Sequence, residues 1–213
     1  QDRLISAFEG GAGSLAARFG IDAGILPDIL APWDIVGTVR GDLPEPFSQL
    51  AGARLFCGSN DTWAAVAGLG ALHPRHAYCI SGSSEVLGLL SDKPADAEGL
   101  VTLRWGEGLW HIGGPGQNGS NALAWIVDCL DAGKRPFAER LDALLEPPAA
   151  GRPLLFHPYL HGERTPFWDG NLRGAFLGLT ARHGPGDMVR AVMQGVAFLN
   201  RLVLERAEEA AGI

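Results

Sequence analysis

Arg54-Leu55-Phe56-Cys57-Gly58-Ser59-Asn60-Asp61-Thr62-Trp63-Ala64-Ala65-Val66 reads as a strand that passes through a tight turn into a helix. Arg54 to Cys57 is apolar enough for a buried strand, Gly58 lets the backbone turn sharply, and the small residues from Thr62 to Leu72 suit a helix. The carboxylate of Asp61 stands where the strand ends and the helix begins, a position from which it can accept a proton. Asp61 reads equally well as an ordinary helix N-cap, a common role for Asp.

Working outward, Ile35 to Val39 supplies a second short strand, separated from the first by the Gly41 to Gly52 segment. Before it, Leu4 to Phe19 reads as a helix interrupted at Gly10, Gly11 and Gly13, followed by turns at Pro27 and Pro32. On the other side, His76 to Ser81 and Glu85 to Leu90 predict a hairpin across Gly82-Ser83-Ser84, and Val101 to Trp105 with Leu109 to Ile112 predict another. Four strands in succession suggest a meander. Helical spacing returns at Leu123, Ile126, Val127 and Leu130, and again, more weakly, from Phe137 to Leu145. Leu154 to Tyr159 predicts a strand that enters the loop His161 to Asn171. Met188, Val189, Val192, Met193, Val196 and Val203 then form the apolar stripe of a long helix started by Pro185 and Asp187. A domain boundary is expected between Ala71 and Pro74.

The bulk composition narrows the function classes. The chain has 213 residues, 46% of them hydrophobic, and a net charge of -7, with no clustered Lys and Arg of the kind that grips a phosphate backbone. No apolar run approaches the roughly 20 residues of a membrane span, and the first residues lack a secretory pattern, so the expectation is a cytoplasmic enzyme with no nucleic-acid or membrane partner. Cys57, Cys79 and Cys129 are widely spaced within apolar sequence and read as reduced core residues. The pairs His73/His76 and His157/His161 lack the helix and carboxylate of a zinc-peptidase motif, so no metal ligand is assigned. With Gln1 at the start and a helical pattern running to the last residues, both ends read as cut.

Three further segments can carry chemistry. Gly82-Ser83-Ser84 offers backbone N–H groups and two hydroxyls that could hold phosphate oxygens, or is a plain turn. Gly113 to Gly119, leading into the helix with Trp125, could present backbone donors and a helix dipole to an anion, or is a loop. His161-Gly162-Glu163-Arg164-Thr165-Pro166 sets opposite charges side by side, for clamping a ligand or for an ion pair that fixes the loop.

The order of these pieces resembles the FGGY family of sugar kinases, over nearly the whole chain. Leu26-Pro27-Asp28-Ile29 with Ile35-Val36-Gly37 resembles the family's segment before its catalytic loop, and Gly58-Ser59-Asn60-Asp61 resembles the loop that ends in the catalytic aspartate. Gly82-Ser83-Ser84 is similar to the family's Gly-Thr-Ser phosphate loop, with serine for threonine at Ser83. Tyr159 to Pro166 with Arg173-Gly174 resembles its Gly-Glu-Arg-x-Pro segment, and Gly174-Ala175-Phe176-Leu177-Gly178-Leu179 with Met188 to Phe198 its second signature.

The resemblance implies an α/β protein of the actin and hexokinase-like (ribonuclease H-like) ATPase fold. Residues 1–72 would be the C-terminal part of a sugar-binding domain and residues 73–213 the N-terminal part of an ATP-binding domain. It implies ATP-dependent phosphorylation of a sugar hydroxyl, of a ketopentose such as xylulose, with magnesium bridging the phosphates. Asp61 would be the general base, and Asn60, Asp61 and Thr62 would contact substrate. Gly82, Ser83, Ser84, Gly116 and Gly119 would contact ATP. Trp63 reads as a wall of the sugar site or as a structural Trp. A polyol or other sugar as acceptor, or a silent sugar or nucleotide sensor, are the competing readings. A homodimer is compatible with all of them, and the 213-residue piece by itself is expected to be inactive for want of the rest of each binding site.

Overall fold

The computed structural model describes residues 15–25, 28, 30–147 and 151–213. Most of the helix expected from Leu4 to Phe19, together with Leu26, Pro27 and Ile29, lies outside the described residues; the part within them is α1, Leu15–Arg18. The chain divides into two compact units, one of Gln1–Leu72 with Leu103–Glu107, the other of His73–Thr102 with Gly108–Ile213.

In the first unit β1 (Ile35–Thr38) and β2 (Arg54–Phe56) pair antiparallel, with Ile35 opposite Phe56, Thr38 opposite Arg54 and an irregularity between Ile35 and Gly37. Helix α2 follows as Asp61–Gly68. The expectation of a buried strand before Gly58 is corrected here: all three residues of β2 are exposed. The strand has a hydrogen-bonding partner, and the Arg54 guanidinium lies over the Phe56 ring, 5.8 Å from its centroid, but its apolar side chains stay about half exposed.

The second unit carries β3 (Ala77–Ser81), β4 (Glu85–Ser91) and β6 (Leu109–Pro115), while β5 (Val101–Gly106) falls mostly in the first. The hairpin β3-β4 forms as expected, with Ser81 opposite Glu85 and Tyr78 opposite Gly88. The meander does not. The partner of β4 on its other side is β6, with Leu89 opposite Ile112 and Gly88 opposite Gly113. Burial explains the choice, because β4 and β6 are continuous buried runs and belong in the middle of a sheet, whereas β3 alternates exposed with buried residues as an edge does.

Helices α3 (Ser120–Leu130), α4 (Phe137–Leu145) and α5 (Pro185–Ala211) complete this unit. The core joins Ile126 and Ala122 of α3 to Leu154 and Phe156 and to Val189, Ala191 and Val192 of α5. Each large apolar side chain sealed there contributes about 1.5–3 kcal/mol. Phe156 lies in β7 (Leu155–His157), which pairs with β8 (Ala175–Leu177), a strand that the sequence pattern does not mark. Helix α5 lies so close over β7 that a side chain at Gly195 would collide with the Phe156 carbonyl. The helix starts at Pro185 with its Gly184 N–H donating to the Asp187 carboxylate at 2.8 Å, and it ends in the left-handed Gly212.

Two expectations about apolar positions fail. Cys57, Cys79 and Cys129 are free but exposed, not core residues. Met193 belongs by spacing to the buried stripe of α5 yet is 43% exposed. Val189, Val192 and Val203 of that stripe are buried.

Candidate functional site

In the first unit the turn before α2 is tied down by its backbone: Cys57 N–H donates to Asp34 O and Gly58 N–H to Pro32 O, both at 2.9 Å. Gly58 has φ of +70°, a conformation that a side chain disfavours by about 1 kcal/mol or more. The helix N-cap is Asn60, whose side-chain oxygen accepts the Trp63 N–H at 2.8 Å. Asp61 is therefore not the cap. It is the first helical residue, exposed, and among the described residues its Oδ1 accepts only from its neighbour Thr62, from the backbone N–H at 2.7 Å and the hydroxyl at 3.4 Å. Trp63 is half-buried and its Nε1 donates to Trp105 O at 3.0 Å, so one edge of the ring is anchored within this unit.

In the second unit the Gly82-Ser83-Ser84 turn is held by its carbonyls. Ser120 N–H donates to Gly82 O at 3.1 Å, the Ser120 hydroxyl donates to the same oxygen, and Asn121 N–H donates to Ser83 O at 3.2 Å. Gly82 N–H closes the turn on Ser84 O. Among the described residues nothing occupies the hydroxyls of Ser83 or Ser84, and Ser83 is exposed. Helix α3 thus spends its first amides on the turn, and the hydroxyls left open beside it are those of Ser83 and Ser84.

The Gly113 to Gly119 loop presents fewer donors than its sequence suggests. Gly116 N–H donates to Glu85 O, Gln117 N–H to the Glu163 carboxylate and Gly119 N–H to Asn121 Oδ1. Gly119 touches the turn, since a Cβ there would lie 2.9 Å from Glu85 Oε1 and 3.0 Å from Ser84 Cα. Glu163 and Arg164 do not pair with each other. Buried Glu163 collects N–H donors from Gln117, Arg164 and the Asn118 side chain, and the Arg164 guanidinium donates to Gly116 O. Both charges staple the glycine-rich loop, which is a corrected reading of that motif.

Sequence reasoning missed Glu85. It is buried directly after the turn, accepting from the Ser81 hydroxyl at 2.8 Å and the Cys79 thiol at 3.1 Å. Although the residue as a whole is exposed, desolvation of its sulfur against the sheet, reinforced by the hydrogen bond and charge of Glu85, pushes the Cys79 thiol up to about 12. A single acidic residue at the head of the apolar run from Val86 to Leu90 was the available signal. Beside the turn a groove of about 200 Å³ is lined by Ser81, Glu85, Gly119, Ser120, Leu123 and Met193. The groove also explains why Met193 leaves the core. Among the described residues no group of three or more His, Cys, Asp or Glu side chains could hold a metal ion, and no helix is long and apolar enough to cross a membrane.

Residues 77–213 match the family model described as the FGGY family of carbohydrate kinases, C-terminal domain. The chain is 30% identical to the xylulose kinase of Lactococcus lactis over 182 residues, 84% of this chain and 36% of that protein. It is 35% identical to the gluconokinase of Bacillus subtilis over 152 residues, 66% of this chain and 30% of that protein. The crystal structure of a xylulose kinase from Brucella ovis superposes with a TM-score of 0.78 at 30% identity, covering 92% of this chain and 40% of that one. The chain therefore spans 30–36% of the length of these two sequence relatives.

Proposed function

The chain belongs to the FGGY family of carbohydrate kinases and has their actin and hexokinase-like ATPase fold, and from that premise we propose that the full-length protein phosphorylates a sugar hydroxyl with ATP. In this reading residues 1–72 close a sugar-binding domain and residues 73–213 begin an ATP-binding one. The acceptor is a ketopentose such as xylulose, a choice supported by the xylulose kinase relatives.

The assignment of the base rests on one observation: Asn60 caps α2, which leaves the exposed Asp61 carboxylate without a tertiary partner among the described residues. An Asp kept at a helix start but excused from capping is available to a ligand. Asp61 accepts the proton of the attacking hydroxyl as its oxygen bonds to the γ-phosphorus and the bond to the ADP oxygen breaks. Asn60 and Thr62 flank it and contact the sugar. Ser83 and Ser84 donate hydroxyl and amide hydrogens to phosphate oxygens, and Gly119, with no side chain, keeps the groove beside them open to the nucleotide. Gly82 permits the turn, and Gly116 holds the glycine-rich loop against Glu85. Magnesium comes with the phosphates of ATP and supplies neutralisation of their charge.

The similarity to gluconokinase favours a second acceptor class, a sugar acid. ADP release by the full-length protein, measured against pentuloses, polyols, hexoses and hexonates, separates the two. Sugar-dependent turnover that disappears in Asp61→Asn supports the kinase reading and names the acceptor. Tight sugar or ATP binding with no turnover in the native protein overturns it in favour of a sensor.

A further inference from the structure

Below the Gly82–Ser84 turn the second unit encloses a small cavity of about 10 Å³, whose walls include Glu85, Gly114, Asn118, Thr165, Leu199 and Val203. That volume is enough for the centre of a single water molecule. Two wall residues are 1% exposed, and each turns a polar atom inward without a hydrogen-bond partner: Oδ1 of Asn118 and the hydroxyl of Thr165. The orientation of Asn118 is set independently, because its Nδ2 donates to Gly162 O and to Glu163 Oε2, both at 2.8 Å. Both amide hydrogens are spent, and only the acceptor end remains. Gly114 is part of the same construction, since a side chain there would collide with the Thr165 hydroxyl.

A buried amide oxygen and a buried hydroxyl left unpaired are strongly unfavourable, and native proteins satisfy such groups with protein or ordered water. We propose that this cavity is a binding site for one structural water, which donates to Asn118 Oδ1 and shares a hydrogen bond with the Thr165 hydroxyl on the side walled by Glu85. Asn200 also borders the cavity, and the Glu85 carboxylate already accepts from Ser81 and Cys79, so one neutral amide oxygen and one hydroxyl are left facing each other, a pair that suits a water better than a hard cation with its six or more oxygen ligands. The water joins two segments, the loop bearing Thr165 and the glycine-rich loop bearing Asn118, and lies against the start of β4, whose Glu85 follows the Gly82–Ser84 turn directly. It acts as a positioning element for that turn. Its effect on nucleotide rests on the reading of the turn as the phosphate site.

A high-resolution crystal structure of the full-length protein decides the site. One density peak within hydrogen-bonding distance of both Asn118 Oδ1 and Thr165 Oγ1 is the expected result. A well-ordered but empty cavity, a direct Asn118–Thr165 hydrogen bond, or a peak with the anomalous signal of potassium would each overturn it. Thr165→Val is expected to lose the peak and to raise KM for ATP several-fold with kcat nearly unchanged, while Thr165→Ser retains both water and native KM. A Thr165→Val protein with native KM for ATP removes the positioning role. If that variant does not fold, the density in the native and Thr165→Ser proteins still decides the site, and the density is read whether or not the protein turns over sugar.

Discussion

Phe56 in β2 and Phe156 in β7 are both strand phenylalanines next to a leucine, yet Phe56 is 52% exposed and Phe156 is 4% exposed. Ile35, Val36 and Leu55 around Phe56 are exposed as well, whereas Phe156 packs on Phe176 and Trp125, with ring centroids 4.6 and 6.0 Å away, beneath α5. The difference teaches that strand pairing alone does not make a core. Hydrogen bonds hold the backbone of β1 and β2 together, but burial needs a second layer, which the second unit has in α3 and α5.

The largest effect that would sharpen this contrast is Phe156→Ala, expected to destabilise the second unit by about 3–5 kcal/mol, as read by the loss of hydrogen-exchange protection in β7 and α5. Acid should come next. His111 is buried against Tyr78, its Nδ1 3.1 Å from the phenol oxygen, and burial lowers its pKa from 6.5 to about 4. The unfolded chain then binds a proton that the folded chain refuses, so stability falls as pH drops from 6.5 and levels off below about 4. The loss is about 3 kcal/mol in total. Denaturant midpoints across that range check it; a His111→Gln protein with the same slope would place the titration elsewhere.

Asp61→Asn addresses the first unit. Turnover of the full-length protein should fall on the order of 100-fold while the thermal midpoint stays put, because the carboxylate is exposed and, among the described residues, bonds only to Thr62. Equal losses of turnover and stability would mean that Asp61 is structural after all. Gly58→Ala should destabilise the turn by about 1 kcal/mol through its positive φ, visible as faster exchange at the start of α2. Phe56→Ala is the smallest effect, expected within about 1 kcal/mol in the protein as described. A change as large as that of Phe156→Ala would break the contrast, by indicating that another part of the full-length protein covers β2.

Much of this organisation was legible in advance. The strand, turn and helix around Gly58 and Asp61, the hairpin across Gly82–Ser84, and the spacing of α3, α4 and α5 all follow from local rules of glycine, capping and apolar period. The misses share a cause. The pairing of β4 with β6, the small strand β8 and the exposure of Met193 depend on which surfaces meet, and period-2 or period-3.6 patterns carry no such information. The staple of Glu163 and Arg164 onto the glycine-rich loop joins positions far apart in the chain, so adjacency in sequence suggested the wrong partner for each charge.

The sequence by itself determined the family, the fold class and the residue types present at each candidate motif, because motif order and backbone permissions are written locally. Only the tertiary structure decided which of those residues are spoken for. Among the described residues Asn60 takes the capping role and leaves Asp61 exposed, α3 spends its first amides on the turn carbonyls and leaves the Ser83 hydroxyl without a partner, and Asn118 and Thr165 are each buried with one polar atom unanswered. Hydrogen-bonding capacity is finite at each atom, and its allocation is settled only when distant segments come into contact.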